Sequence, residues 1–170
     1  MANSTKIVEL CREHGEVCVD DNKNTCTPMT KSKSCKIIRQ YLSIVKDKTT
    51  FYSRTDSKGR IALHNACLCS NPEVLKTLLE LAKIYGIPSN INTKDNDGQT
   101  PLHVAVTNQR AKVVEYLLNH AQNEGIIVHS RDQLGKTPFH YARVTKNQEL
   151  VDLFVWHFIE RMIPAFFKKT

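Results

Sequence analysis

No run of about 18 consecutive apolar residues occurs in this 170-residue chain, so no membrane-spanning helix is expected. The opening residues, MANSTKIVELCREHGE, contain no apolar core of the kind a secretory signal requires, which points to a cytoplasmic or nuclear protein. No C-x-x-C pair joins any two of the six cysteines Cys11, Cys18, Cys26, Cys35, Cys67 and Cys69. Their spacings match no zinc pattern. Cys67 and Cys69 stand two apart, a separation that points side chains to different sides of a helix. Free thiols in a reducing compartment are therefore expected, with no metal and no cofactor. Catalytic signatures are also missing: there is no G-x-S-x-G, no P-loop and no H-E-x-x-H. The acids are scattered singly. No catalytic residue is assigned, and the sequence does not read as an enzyme.

What is present is first a charge asymmetry. Residues 23–60 hold ten Lys or Arg and two acids, Asp47 and Asp56, within a chain of net charge +7. The rest of the chain is close to neutral. The stretch KSKSCKIIRQYLSIVKDK places Ile37, Ile38, Tyr41, Leu42 and Val45 along one helical stripe, which leaves its lysines on the outer face. A solvated helix face accounts for this, with an acidic protein partner as the alternative. Nucleic-acid binding is not expected, because no recognition motif accompanies the charge.

The second feature is a repeat. TDSKGRIALHNA (55–66), KDNDGQTPLHVA (94–105) and RDQLGKTPFHYA (131–142) align residue for residue. Their glycines, Gly59, Gly98 and Gly135, lie 39 and 37 residues apart, and His64, His103 and His140 keep the same intervals. An apolar segment follows each: EVLKTLLE, KVVEYLLN and ELVDLFVW. Gly98 suits a turn with positive φ. Thr100 suits a helix N-cap, and Pro101 suits the first turn. Leu102, Ala105 and Val106 give the spacing of a buried helical stripe. Three histidines at one repeated position argue for a structural task rather than for chemistry. The first unit has Ile61-Ala62 in place of Thr-Pro, so it is expected to lose its cap and to be the least stable.

This pattern resembles the ankyrin repeat, whose signature T-P-L-H-x-A recurs with a 33-residue period. The resemblance covers residues 55–163 and implies an all-α solenoid of stacked helix pairs with β-hairpin-like turns. The extra residues fall at LAKIYGIPSNINT and NHAQNEGIIVHS. Residues 1–54 read as degenerate N-terminal ankyrin-like helices and the basic segment, because SCKIIRQYL echoes RAKVVEYLL. Residues 164–170 form a tail. The resemblance also implies that the recurring histidine bonds backbone around the turn and links neighbouring units.

Function then falls to binding. Such solenoids offer their hairpin tips and first helices along a concave face. The expected exposed tip residues are Asp56, Ser57, Lys58, Asp95, Asn96, Asp97, Asp132, Gln133 and Leu134. Thr107, Asn108, Gln109 and Arg110 are expected in the turn between paired helices. The lengthened links followed by QTPLHVAV are similar to early repeats of IκB proteins and NF-κB precursors. That resemblance implies a Rel/NF-κB-type partner held in the cytoplasm. Cellular IκB proteins carry a D-S-G-x-x-S degradation signal and an acidic tail. Here DSKG (56–59) lies inside a repeat, and the residues end FFKKT. A short chain of this kind resembles the viral ankyrin proteins of polydnaviruses, whose implied role is immune suppression in an infected host. The alternative is an adaptor or pathogen effector with an unrelated host partner. The strongly basic 23–60 segment would repel a basic nuclear-localisation segment, so Rel binding is expected on the later repeats. The aromatic segment LVDLFVWHFIERMIPAFFKKT reads as a hydrophobic cap on the last repeat, with self-association through it as the alternative.

Overall fold

The structure, a computed structural model, describes residues 47–162. The degenerate helices expected within 1–46, most of the basic segment and the tail from 163 onward lie outside the described residues.

Among the described residues there are seven helices and no strand: α1 (Lys48–Ser53), α2 (Ala62–Ala66), α3 (Pro72–Ile84), α4 (Pro101–Thr107), α5 (Ala111–Asn119), α6 (Pro138–Val144) and α7 (Gln148–Met162). The pairs α2/α3, α4/α5 and α6/α7 each follow one of the repeated glycines. First helices touch in the order α2, α4, α6, and second helices in the order α3, α5, α7, which makes a solenoid. The core lies between units. Leu63, Leu75, Leu78, Leu102, Leu117, Leu150 and Phe154 are all fully buried there. Burying a side chain of this size stabilises by about 1.5–3 kcal/mol each, so the stack depends on neighbours covering each other.

Each hairpin is built by an aspartate. The Asp95 N–H donates to the Gln99 carbonyl at 2.9 Å, and Oδ1 of Asp95 accepts from Asp97 N–H at 3.0 Å and Gln99 N–H at 2.8 Å. Asp56 does the same with Lys58 and Arg60, and Asp132 with Leu134 and Lys136. The glycine that closes each turn is left-handed: φ is 72° at Gly59, 75° at Gly98 and 70° at Gly135. Gly59 and Gly98 have a second reason to lack a side chain. A Cβ on Gly98 would sit 2.7 Å from the backbone nitrogen of Gln133 in the next hairpin.

The histidine fastens unit to unit, as the resemblance implied. The Thr100 N–H donates to His103 Nδ1 at 3.2 Å, so the ring proton sits on Nε2 and donates to the Lys136 carbonyl of the next hairpin at 3.2 Å. His64 repeats this, accepting from Ile61 N–H at 3.2 Å and donating to the Gln99 carbonyl at 3.0 Å. The expected loss of the first unit's cap is thus only partial. The imidazole still holds the N-cap amide, and what Ile61 removes is the hydroxyl that Thr100 sets 2.9 Å from the ring. Helix α2 spans 5 residues against 7 for α4 and α6.

The extra residues after the second helices are ordered by one device. Gly86 (φ 63°) and Gly125 (φ 66°) close α3 and the turn after α5, with Ile87 N–H donating to the Ala82 carbonyl and Ile126 N–H to the Ala121 carbonyl. These are Schellman closures. The links then bind each other: Asn92 Nδ2 donates to the Gly125 carbonyl at 2.7 Å, and its oxygen accepts from Ile127 N–H at 2.8 Å. Lys83 pairs with Glu124 at 2.5 Å on the same side.

Both ends of the stack depart from the repeat. At the start, α1 inserts Phe51 and Tyr52, each 1% exposed, and Tyr52 donates to the Leu78 carbonyl at 2.7 Å. At the other end, Phe139 meets Phe154 and Phe158, and His129 stacks on Phe158. Cys67 and Val106 are buried between units, while the corresponding residue of the third unit, Arg143, is exposed.

Candidate protein-binding surface

The hairpins, the last residue of α4 and the turn after it carry the residues singled out in the sequence, and the structure sorts them. Thr107, expected in the turn, ends the helix. Asp95 and Asp132 are buried and Asp56 is half-buried, which corrects the expectation that they are exposed. The reason is the hairpin bonding already described, to which each adds a partner for Oδ2. Asp56 accepts from Asn65 Nδ2 at 3.3 Å, Asp95 from Arg60 Nε at 3.3 Å, and Asp132 from the Tyr141 hydroxyl. Burial works against the charged form of Asp132, but the Tyr141 hydroxyl and the Lys136 and Leu134 amides outweigh it and hold its carboxyl below the ordinary range. The same bond to Asp132, with burial, pushes the Tyr141 phenol up to about 12.

The next position along each tip links the hairpins. Asn96 donates through its backbone N–H to the Lys58 carbonyl at 3.0 Å and through Nδ2 to the Ser57 carbonyl at 3.2 Å. Gln133 reaches the Asp97 carbonyl at 3.1 Å and the Asn96 carbonyl at 2.7 Å in the same way. Ser57 holds this position in the first hairpin. The apex row is then Lys58, Asp97 and Leu134. All three are exposed, Leu134 to 71%.

The second predicted group is mostly engaged inside the fold. Thr107 is half-buried and its hydroxyl donates to the His103 carbonyl at 3.0 Å. Asn108 is exposed and its side chain closes α4 by donating to the Val104 carbonyl at 2.8 Å. Arg110 is half-buried, and its Nε donates to the Leu68 carbonyl of the preceding unit at 2.8 Å. Gln109 is exposed and left-handed (φ 54°), a conformation Lys146 repeats in the third unit (φ 55°).

Sequence reasoning missed several exposed cations. Arg54, Lys94, Arg131 and Lys136 flank the tips and are exposed. The outer face of α7, where Val155, Trp156 and Ile159 are 41%, 54% and 37% exposed, lies in the aromatic segment for which self-association is the alternative to a cap. Equivalence to unit two gives a signal for part of this, because Val155 replaces the buried Leu118. No group of three or more His, Cys, Asp or Glu that could hold a metal ion occurs among the described residues. Cys67 and Cys69 are buried and form no disulfide, and burial pushes the Cys67 thiol up. No helix among the described residues is long and apolar enough to cross a membrane.

The family model for ankyrin repeats in three copies matches residues 29–128 and 83–161. Rabankyrin-5 of Mus musculus is 33% identical over 94 residues, 55% of this chain and 7% of that protein. Putative ankyrin repeat protein L271 of Acanthamoeba polyphaga mimivirus is 36% identical over 89 residues, 52% of this chain and 11% of that protein. The nuclear factor NF-kappa-B p105 subunit of Gallus gallus is 28% identical over 120 residues, 71% of this chain and 12% of that protein. The chain therefore matches only a small part of each of these proteins. Stacked helix pairs, hairpins fastened by aspartate and histidine, and the family match agree: the chain belongs to the ankyrin-repeat family, whose members serve as protein-interaction modules.

Proposed function

We propose that the protein is an IκB-like inhibitor that binds a Rel/NF-κB-type transcription factor and retains it in the cytoplasm. The observation that carries this reading is the long similarity to the p105 subunit together with the stretched links. Those links are stapled to each other by Asn92 and by Lys83–Glu124, so they extend each unit as ordered structure. The experiment is a Rel-driven reporter in animal or insect cells expressing the full chain. The reading expects the reporter to fall in proportion to expression. An unchanged reporter at high expression contradicts it.

A second reading is an adaptor or pathogen effector acting on an unrelated host protein. Similarity to a mimivirus ankyrin protein supports it. The exposed Val155, Trp156 and Ile159 of α7 support an additional contact, self-association through the C-terminal segment. Concentration-dependent sedimentation that is lost in Trp156→Ser is the outcome that contact requires.

A further inference from the structure

We infer that the hairpin edge of the second and third units docks an acidic protein segment carrying an apolar side chain. The inference rests on the reading that this edge binds a protein, but not on that protein being a Rel-type factor.

Formal charge hides this surface. The hairpin aspartates Asp56, Asp95 and Asp132 point inward onto backbone amides and their Oδ2 partners. The bases of the same segments point outward: Arg54, Lys58, Lys94, Arg131 and Lys136 are exposed, against one exposed acid, Asp97. Local geometry orients three of these cations. Lys94 Nζ donates to the Arg131 carbonyl at 2.7 Å, and Arg131 Nη1 donates to the Gly135 carbonyl at 2.7 Å. Lys136 Nζ lies 5.6 Å from the centroid of the Tyr141 ring. A carbonyl or a ring face orients a cation without neutralising it. The side-chain ion pairs Arg60–Asp95 and Lys83–Glu124 include none of these three. Lys94 is thus fastened to the backbone of Arg131, which gathers basic side chains of neighbouring hairpins on one edge, an arrangement that complements an anion.

The apex residue selects the kind of anion. Leu134 stands 71% exposed between Arg131 and Lys136, and Asp97 lies on the apex one unit back. A phosphate backbone gains nothing from a leucine. A peptide with carboxylates on either side of an apolar side chain meets the leucine with that side chain and the cations with its carboxylates.

The test uses the full chain and a fluorescein-labelled peptide of alternating Glu and Asp around a central Leu, followed by fluorescence anisotropy. Three comparison probes carry the label: the peptide with Lys for each acid, the peptide with Ala for Leu, and a short duplex DNA. The acidic peptide is expected to bind, more tightly as salt is lowered. Combining Lys94→Glu, Arg131→Glu and Lys136→Glu is expected to weaken it by about tenfold or more, and Leu134→Ala by several-fold. If the triple variant melts early, Lys94→Gln with Lys136→Gln replaces it, with the same direction of change expected. Absent binding, equal binding of the Lys peptide, or tighter binding of duplex DNA overturns the proposal. So does a loss that follows Lys31→Gln, Lys33→Gln and Lys36→Gln instead of the hairpin substitutions. Failure here leaves a reporter result on the Rel reading intact, and failure of the reporter leaves this result intact.

Discussion

Two glycines with the same backbone conformation separate the local strain of a hairpin from its contact with the next unit. Gly98 and Gly135 have φ of 75° and 70°, so an alanine at either meets the left-handed penalty of about 1–2 kcal/mol. Only Gly98 has a neighbour. Its added Cβ would lie 2.7 Å from the Gln133 backbone nitrogen and 3.2 Å from the Asp132 carbonyl carbon, whereas nothing lies within 4 Å at Gly135. The partner atoms are backbone, so relief requires the third hairpin to move away. That movement loosens the bonds from Gln133 to the Asp97 carbonyl at 3.1 Å and to the Asn96 carbonyl at 2.7 Å, each worth about 1 kcal/mol net. Gly98→Ala is therefore expected to cost about 3–4 kcal/mol and Gly135→Ala about 1–2 kcal/mol. Urea unfolding followed by far-UV circular dichroism measures both, with the slope checked for loss of cooperativity. Equal losses, or a larger loss at Gly135, would refute the claim that hairpin contact stabilises the stack.

Two other outcomes follow from the histidines. Burial, outweighing the carbonyl bonds and nearby aspartates, lowers the pKa of both His64 and His103. The folded state then stays neutral where the unfolded chain takes up protons, so stability is full above the ordinary histidine value of about 6.5 and falls as pH drops below it, by up to about 1.4 kcal/mol per pH unit for each group. Melting near pH 7.5 should exceed melting near pH 5.5, and the reverse order contradicts the assigned Nε2–H form. The first unit lacks the threonine hydroxyl and has a shorter helix, so amides of 61–66 should exchange faster than those of 100–105 in native-state hydrogen exchange. Equal protection argues against any cost from Ile61.

The repeat was legible because its residues serve local geometry. Gly98, Thr100, Pro101 and His103 each answer to a turn or a helix start, and the structure puts each to that use. The buried aspartates were harder to read. Asp56, Asp95 and Asp132 recur as regularly as the glycines, but an acid at a tip looks solvated until its carboxylate is seen bonding two amides. The same inversion hid the basic edge, because formal charge gives inward and outward groups equal weight. Arg110 and Thr107 looked free because they stand at a helix end and just past it, whereas their partners, Leu68 and His103, are a carbonyl of the previous unit and one of the same helix. Phe51 and Tyr52 lie before the first repeat, in a stretch dominated by lysine, with no period to mark them as core. The stretched links showed only as added length. Their order comes from Gly86, Gly125 and Asn92, whose pairing crosses units and leaves no periodic trace.

The central claim is that this solenoid acts by holding a partner protein, and that the partner is of the Rel/NF-κB type. Its most direct test is affinity purification of the tagged full chain from insect or animal cells, followed by mass spectrometry of what is retained. The account predicts a Rel-family subunit in the retained fraction. Recovery of the chain without any Rel-family subunit, from cells shown to contain one, would contradict it.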